Sequence, residues 1–444
     1  MSSVLIAIVS VVVAFGSTIA SGQVYYIPFE IPMPPEVNRL GLGSSFGVDG
    51  NTLYIGDVGD RFAPADSVPA AVYQFDLNSF DLLQTYNPIG RPSADLFSLN
   101  MEYYDGVLLV GAIHAVNDFG SAHGKAYLIN PVNGALLHTF DEDSNASGLS
   151  NFGYDVSVND VAVVIGALGY NPDRAGRVFV YNAATNALVT SLAPDPTTDD
   201  TRYGYRVEHN DNYLVVSAPG DRFKAIPGAV YVYDFVTGAL LHRIVAPFPD
   251  SNGSAHFGIA MDLSGSTLLV GSGDFAPTDI RSKVFVYDLP TGDLETTLTN
   301  DNGSFSDRFG QSISVDGNTA VISASTDDDK GPDAGAVYIF DLNTYEIIDK
   351  VYSTNIARHR SFGRLVKIQD GTILATSFID TPLLNEKAVH VLEQFCRADI
   401  NLDGSVNFFD VSAFIKFAVD FNGDGNFNFF DVSAFLQSFQ TECP

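Results

Sequence analysis

Several kinds of residue are scarce in this chain, and each scarcity removes a class of function. Lys and Arg number 23 against 53 Asp and Glu, giving a formal net charge of −30 and a pI near 4.3. Phosphate backbones and anionic membranes are bound by clustered cations, so the balance argues against nucleic acid and membrane surfaces as partners. Two cysteines in 444 residues exclude a disulfide scaffold. The eight histidines (His114, His123, His138, His209, His242, His256, His359 and His390) show no HxxxH ligand spacing. There is no GxSxG, no Walker loop and no Cys–His pairing. Glu is spread out, so no two-carboxylate hydrolase site can be named. A folded chain can nonetheless assemble a site from residues far apart in sequence. Beyond residue 22 no apolar run is long enough for a transmembrane helix. The acid is scattered through turns, where it solubilises a β-rich surface.

What the chain has in abundance is repetition. Residues 309–351 read FGQSISVDGNTAVISA, an acidic loop STDDDKGPDAG, then AVYIFDLNTYEIIDKV. Apolar positions alternate at period two between Gly, Asp and Asn turns, which is the pattern of four short antiparallel strands. An aromatic–small pair opens each copy: Phe46-Gly47, Phe97-Ser98, Phe152-Gly153, Tyr203-Gly204, Phe257-Gly258, Phe309-Gly310 and Phe362-Gly363. Their spacings are 51, 55, 51, 54, 52 and 53 residues. YIGD, LVGA, VIGA, VVSA, LVGS, VISA and LATS follow as a second landmark, and VYQFD through VHVLE as a third. Seven copies of a four-strand unit that cannot bury its own faces imply a seven-bladed, all-β propeller of four-stranded blades. The aromatic should fill the space between sheets, and the Gly should let the neighbouring backbone approach.

These motifs resemble the FG-GAP repeats of integrin-α-like β-propellers over roughly residues 40–395. The calcium-loop variant of that family carries DxDxDG before the second strand. Here that place holds VDGNT, NDNY or SGST. The resemblance is therefore to the calcium-less repeat.

Around the repeats the chain divides into residues 1–22, 23–395 and 396–444. The first segment holds an apolar run, Val4 to Phe15, followed by small residues. It reads as a secretory signal peptide cleaved after Ala20 or Gly22. QVYYIPFEIP (Gln23 to Pro32) alternates like a strand, and the last repeat lacks a fourth strand before Cys396. An N-terminal strand would close the ring there; the alternative is a frayed leader. Between second and third strands lie variable loops carrying Asp57, Asp60, Asp66, Asp274, Asp279, Asp327, Asp328, Asp329 and Asp333. Loops on a rigid scaffold are a common place for binding. These carboxylates are either cation ligands or solvated turns, and no ligand spacing demands the former. Asn145, Asn252 and Asn302 begin glycosylation sequons, and turn chemistry also accounts for them.

Residues 396–444 change character. DINLDGSVNFFD (Asp399 to Asp410) and DFNGDGNFNFFD (Asp420 to Asp431) are twelve-residue loops set 21 residues apart. Asp399, Asn401 and Asp403, and likewise Asp420, Asn422 and Asp424, place side-chain oxygens at positions 1, 3 and 5. Gly404 and Gly425 permit the sharp turn. Ser405 and Asn426 offer carbonyls, Asn407 and Asn428 stand at position 9, and Asp410 and Asp431 close the shells. This is the arrangement of a calcium site, and two Ca²⁺ ions are expected, one per loop; two acidic turns without metal are the bland alternative. VSAFIKFA and VSAFLQSF follow as short apolar helices.

Loop–helix repeats of this kind, paired and EF-hand-like, resemble dockerin modules, which plug into cohesin-type receptors. The two positions before each closing Asp, often small or polar in dockerins, are Phe408-Phe409 and Phe429-Phe430 here. They either close a very small core or form a symmetric docking surface. Cys396 and Cys443 bracket the module and are expected to form a disulfide in an exported protein.

The sequence thus points to a secreted, monomeric, non-catalytic binding or adhesion protein. Its propeller would present a recognition surface to a protein or carbohydrate ligand. Its tail would attach to a cohesin-like or other receptor on a scaffold or cell surface. The alternative is an extracellular polymer-degrading enzyme delivered by the same tail. Carboxylates, His or Tyr clustered at the central funnel would favour the enzyme, whereas loop-dominated rims would favour binding.

Overall fold

The computed structural model describes residues 24–396, apart from 35–36, 38–40, 60–69, 87–94, 117–122, 143–149, 170–174, 196–201, 221–227, 248–255, 273–281, 301–306, 357 and 381–384. The chain opens with β1 (Val24–Glu30), then lays down seven sheets in turn. Blade 1 is β2 (Leu42–Asp49), β3 (Thr52–Asp57), β4 (Ala71–Asp76) and β5 (Leu82–Tyr86). Blade 2 is β6 (Phe97–Tyr104), β7 (Val107–Ala112), β8 (Lys125–Asn130) and β9 (Ala135–Asp141). Blade 3 is β10 (Phe152–Val158), β11 (Ala162–Ala167), β12 (Arg177–Asn182) and β13 (Leu188–Leu192). Blade 4 is β14 (Val207–His209), β15 (Tyr213–Ala218), β16 (Ala229–Asp234) and β17 (Leu240–Val245). Blade 5 is β18 (Met261–Ser264), β19 (Thr267–Ser272), β20 (Lys283–Asp288) and β21 (Asp293–Leu298). Blade 6 is β22 (Phe309–Asp316), β23 (Thr319–Ala324), β24 (Ala336–Asp341) and β25 (Glu346–Val351).

Blade 7 draws on both ends of the described chain. β26 (His359–Arg360) and β27 (Val366–Gln369) pair with β28 (Thr372–Asp380), which pairs with β29 (Asn385–Cys396). β1 lies antiparallel on β29, from Val24 opposite Cys396 to Glu30 opposite His390. The N-terminal strand is thus the outermost strand of the last blade. The Tyr26 N–H also donates to Asp349 Oδ2 of blade 6 at 2.8 Å.

The aromatic that opens each repeat is a core residue. Phe97, Phe152, Tyr203, Phe257, Phe309 and Phe362 are fully buried. Each is the second residue of a β-turn, closed for example by the Tyr154 N–H to the Asn151 carbonyl at 3.1 Å. The third residue of that turn has positive φ (84° at Gly153), as a type II turn requires. A Cβ there would also lie 2.4 Å from the Lys125 carbonyl oxygen, so both conformation and close approach select Gly. Blade 2 adopts the same conformation with Ser98, at φ 65°.

Blade 1 corrects the sequence alignment. The structural counterpart of the aromatic–Gly pair is Leu42-Gly43, four residues before Phe46-Gly47. Leu42 pairs with Asp57 as Phe97 pairs with Ala112 and Phe152 with Ala167. Phe46 instead matches Met101 and Val156, and the first repeat interval is 55 rather than 51 residues. Both Leu42 and Phe46 are buried and both precede Gly, so a search for an aromatic selects the wrong one.

No α-helix occurs among the described residues. The expected helical module lies outside them. So do the twelve calcium-ligand positions, the Phe408-Phe409 and Phe429-Phe430 pairs, and Cys443.

Candidate functional site

Because neighbouring strands run antiparallel, the links between second and third strands and from blade to blade leave the disc on one face. The tight turns leave on the other. The long variable segments therefore share the first, or loop, face. Seven inner strands converge on the axis, where they line an open-mouthed pocket of about 110 Å³. Counting each buried core residue as zero, position 5 carries Glu102, Glu208, Asp262 and Lys367 in blades 2, 4, 5 and 7. Position 3 adds Asp155 and Arg206. All six charged side chains line the cavity.

Most of these carboxylates bind the next blade rather than open space. The Val158 N–H of blade 3 donates to Glu102 Oε2 at 2.6 Å. The Val207 N–H of blade 4 donates to Asp155 Oδ2 at 2.8 Å, and the Val315 N–H of blade 6 to Asp262 Oδ2 at 2.8 Å. Ser312 Oγ accepts the Val366 N–H at 3.0 Å, and Gln369 Oε1 closes the ring by accepting the Val48 N–H at 3.1 Å. Inner-strand side chains thus satisfy backbone donors that no neighbouring strand reaches. Arg206 pairs with Asp155 at 3.2 Å and donates to Asn100 Oδ1 at 3.3 Å.

Glu208 is the exception. By position it should accept the Leu263 N–H of blade 5, but that donor goes to Asp262 Oδ1 at 2.7 Å. Burial, then the Asp262 and Glu102 charges, push Glu208 well above the usual carboxylate range. Burial pushes Glu102 up to about 7, against the pull of Lys367. Lys367 is held protonated because Asp262, Glu208, Glu102 and Asp155 outweigh its own burial. No motif marked this cluster in the sequence. Only stacking the repeats in register puts its acids in one column.

The acidic blade 6 loop, residues 325–335, is held by a lysine. Lys350 Nζ lies 2.9 Å from Asp327 Oδ2 and 2.6 Å from Asp329 Oδ2. Tyr338 and Tyr352 hydroxyls donate to the same two carboxylates at 3.3 and 3.0 Å. Asp328 caps its own loop by accepting the Asp333 N–H at 2.7 Å. These acids are engaged within the protein. Asp57 is buried too, accepting the Gly59 N–H at 2.8 Å. Among the described residues no group of three metal-ligating side chains has cation-binding geometry. Asp60, Asp66, Asp274, Asp279 and the sequon asparagines lie outside them.

Four of the histidines are placed by packing. His138 and His242 hold the same register in two outer strands, opposite Leu128 and Val232. His359 and His390 meet edge-on at 4.9 Å beneath Glu30, with hydrogen bonds to Ser353 and Ser377 at 2.8 Å each. Burial holds His390 down to about 3.

A family model described as FG-GAP repeat matches residues 293–340, from the outer strand of blade 5 through the third strand of blade 6. A search of curated proteins returned no match.

Proposed function

We propose that this FG-GAP-repeat propeller is a non-catalytic binding protein, exported, recognising its ligand on the loop face and attached through its tail. The observation that carries the reading is how the axial carboxylates are used. Glu102, Asp155 and Asp262 hold one blade to the next, and the cavity they line, at about 110 Å³, is small. Pockets that bury small organic ligands run to roughly 300–1,000 Å³. A pocket of that size gives these groups little space for a substrate, whereas loops carried on a scaffold are a common place for binding. Attachment would fall to residues 396–444, whose two loops supply complete oxygen shells for calcium and whose Phe pairs would meet a cohesin-like or other surface receptor.

The test is calorimetric. The protein should take up two calcium ions, and Asp399→Ala with Asp420→Ala should abolish both. Binding to the folded tail alone would make its order depend on metal. A flat titration would sink the calcium-dependent attachment and leave the propeller reading standing.

One observation favours the alternative, an extracellular polymer-degrading enzyme. Glu208 and Glu102, both pushed upward, are carboxyls able to carry a proton at neutral pH. Loss of a measured polymer-cleaving activity in Glu208→Gln, with folding retained, would establish it.

A further inference from the structure

In a chain with so few cations, several gather at one point of the loop face, at the seam of blades 6, 7 and 1. Gly43 of blade 1 packs on Thr376 and Val389, so that face of blade 7 looks toward blade 1. Two residues nearer the loop end, the same face carries Phe378 and Lys387, directly opposite each other across β28 and β29. The Arg364 guanidinium lies over the Phe378 ring, 5.2 Å from its centroid. Arg364 is exposed, and Phe378 and Lys387 are half-buried. Neither Arg364 nor Lys387 has a carboxylate within ion-pair distance among the described residues. Partial burial of Arg364 against the ring, then the neighbouring Arg308 charge, lower the guanidinium. Burial, then Arg364, bring Lys387 down to about 8, opposed by Asp57. Positive groups held together at a cost to their own protonation form a standing attraction for an anion. A guanidinium held over an aromatic ring is also restricted in where it can present its N–H donors.

We propose that Arg364, Lys387 and Phe378, with Arg308 beside them, form a binding site for an acidic polysaccharide bearing carboxylate or sulfate groups. The inference rests on the loop face being the recognition surface and names its ligand class. A slender chain is favoured over a folded acidic protein by the overall charge of −30. A globular partner would bring its whole acidic surface against this one, whereas a single strand reaches the local patch. At physiological salt, charges interact over about 8 Å, so the patch rather than the net charge governs contact. The pH dependence follows from the groups facing Lys387, which are Asp57 of β3 and Arg364. Burial pushes Asp57 up to about 7. As pH rises from 6 to 9 Asp57 gains its negative charge and Lys387 loses its positive one. Both changes weaken anion binding.

Binding of the full chain would be measured to polygalacturonate, dextran sulfate, neutral dextran and poly-glutamate in about 0.15 M salt. Binding to one or both acidic polysaccharides and not to neutral dextran is expected, falling from pH 6 to pH 9. The polygalacturonate and dextran sulfate arms separate carboxylate from sulfate recognition. Arg364→Gln and Lys387→Gln should each weaken it about tenfold with the melting temperature unchanged. Arg364 is the more exposed of the two, so its variant is the less prone to a folding effect, which the melting temperature checks. No binding to either acidic polysaccharide overturns the proposal, as does tighter binding to poly-glutamate. Binding that both variants retain in full also overturns it, while leaving the loop-face reading intact. Shortening of the bound polymer would instead overturn the non-catalytic reading and leave the site standing.

Discussion

At the scale of single residues, the axial carboxylates are both ties and liabilities. Glu102 accepts a backbone N–H from the next blade, yet burial pushes its carboxyl up to about 7. A carboxyl raised in the folded state binds its proton more tightly there than in the unfolded chain. Its burdened, ionised form is therefore absent below the ordinary value of 4.5 and complete above about 7. Glu102→Gln keeps an oxygen for the Val158 N–H and cannot ionise. It should raise stability at pH 8 by on the order of 3 kcal/mol and change little at pH 4. Denaturant unfolding at both pH values checks this; an equal offset at the two would refute it. His390 acts in the opposite direction. Held neutral in the fold, with its value down to about 3, it contributes stability above pH 6.5 that is lost as pH falls toward 3.

At the scale of elements, β1 decides whether the disc is closed. Without it β29 would present an unpaired edge, the kind that recruits other chains. The strand is also tied at both flanks, by the Tyr26 N–H to Asp349 and by Glu30 to Arg358 at 3.0 Å. A variant lacking residues 23–32 should melt at lower temperature and aggregate, as followed by calorimetry and light scattering. A variant that stayed monomeric with the parent's melting temperature would show the ring closed without it. The repeating turn around Phe152 and its counterparts was legible in sequence because only Gly readily takes its left-handed third position. Blade 1 was misaligned there because burial, which Leu42 and Phe46 share, matters at that site more than aromaticity.

At the scale of the whole molecule, a rigid disc and a calcium-loaded tail divide recognition from attachment in the proposed function. NFFDVSAF occurs twice without change, at 407–414 and 428–435. Ligand geometry needs only its Asn and Asp, leaving the adjacent Phe pairs to core or docking. Phe409→Ser with Phe430→Ser separates the two roles when calcium-dependent folding and surface attachment are measured independently. Retained folding with lost attachment is the expected outcome. Lost folding would place the rings in the module's core.

The sequence by itself determined the number of blades, their four-strand make-up and the place of the variable loops, since period-two burial is local and recurs in every blade, as does the left-handed turn position, held by Gly in six of them and by Ser98 in the seventh. An orphan strand at one end and a missing strand at the other could also be read from the same pattern. Which charges meet was not local. Glu102, Glu208, Asp262 and Lys367 are separated by 54 to 265 residues and share a cavity only because seven strands converge on one axis. Lys350 settles on Asp327 and Asp329, and Arg364 on Phe378, through pairings set by the strand register that carries them. Electrostatic contacts depend on distance in space, and in a propeller that distance is fixed by closure of the ring.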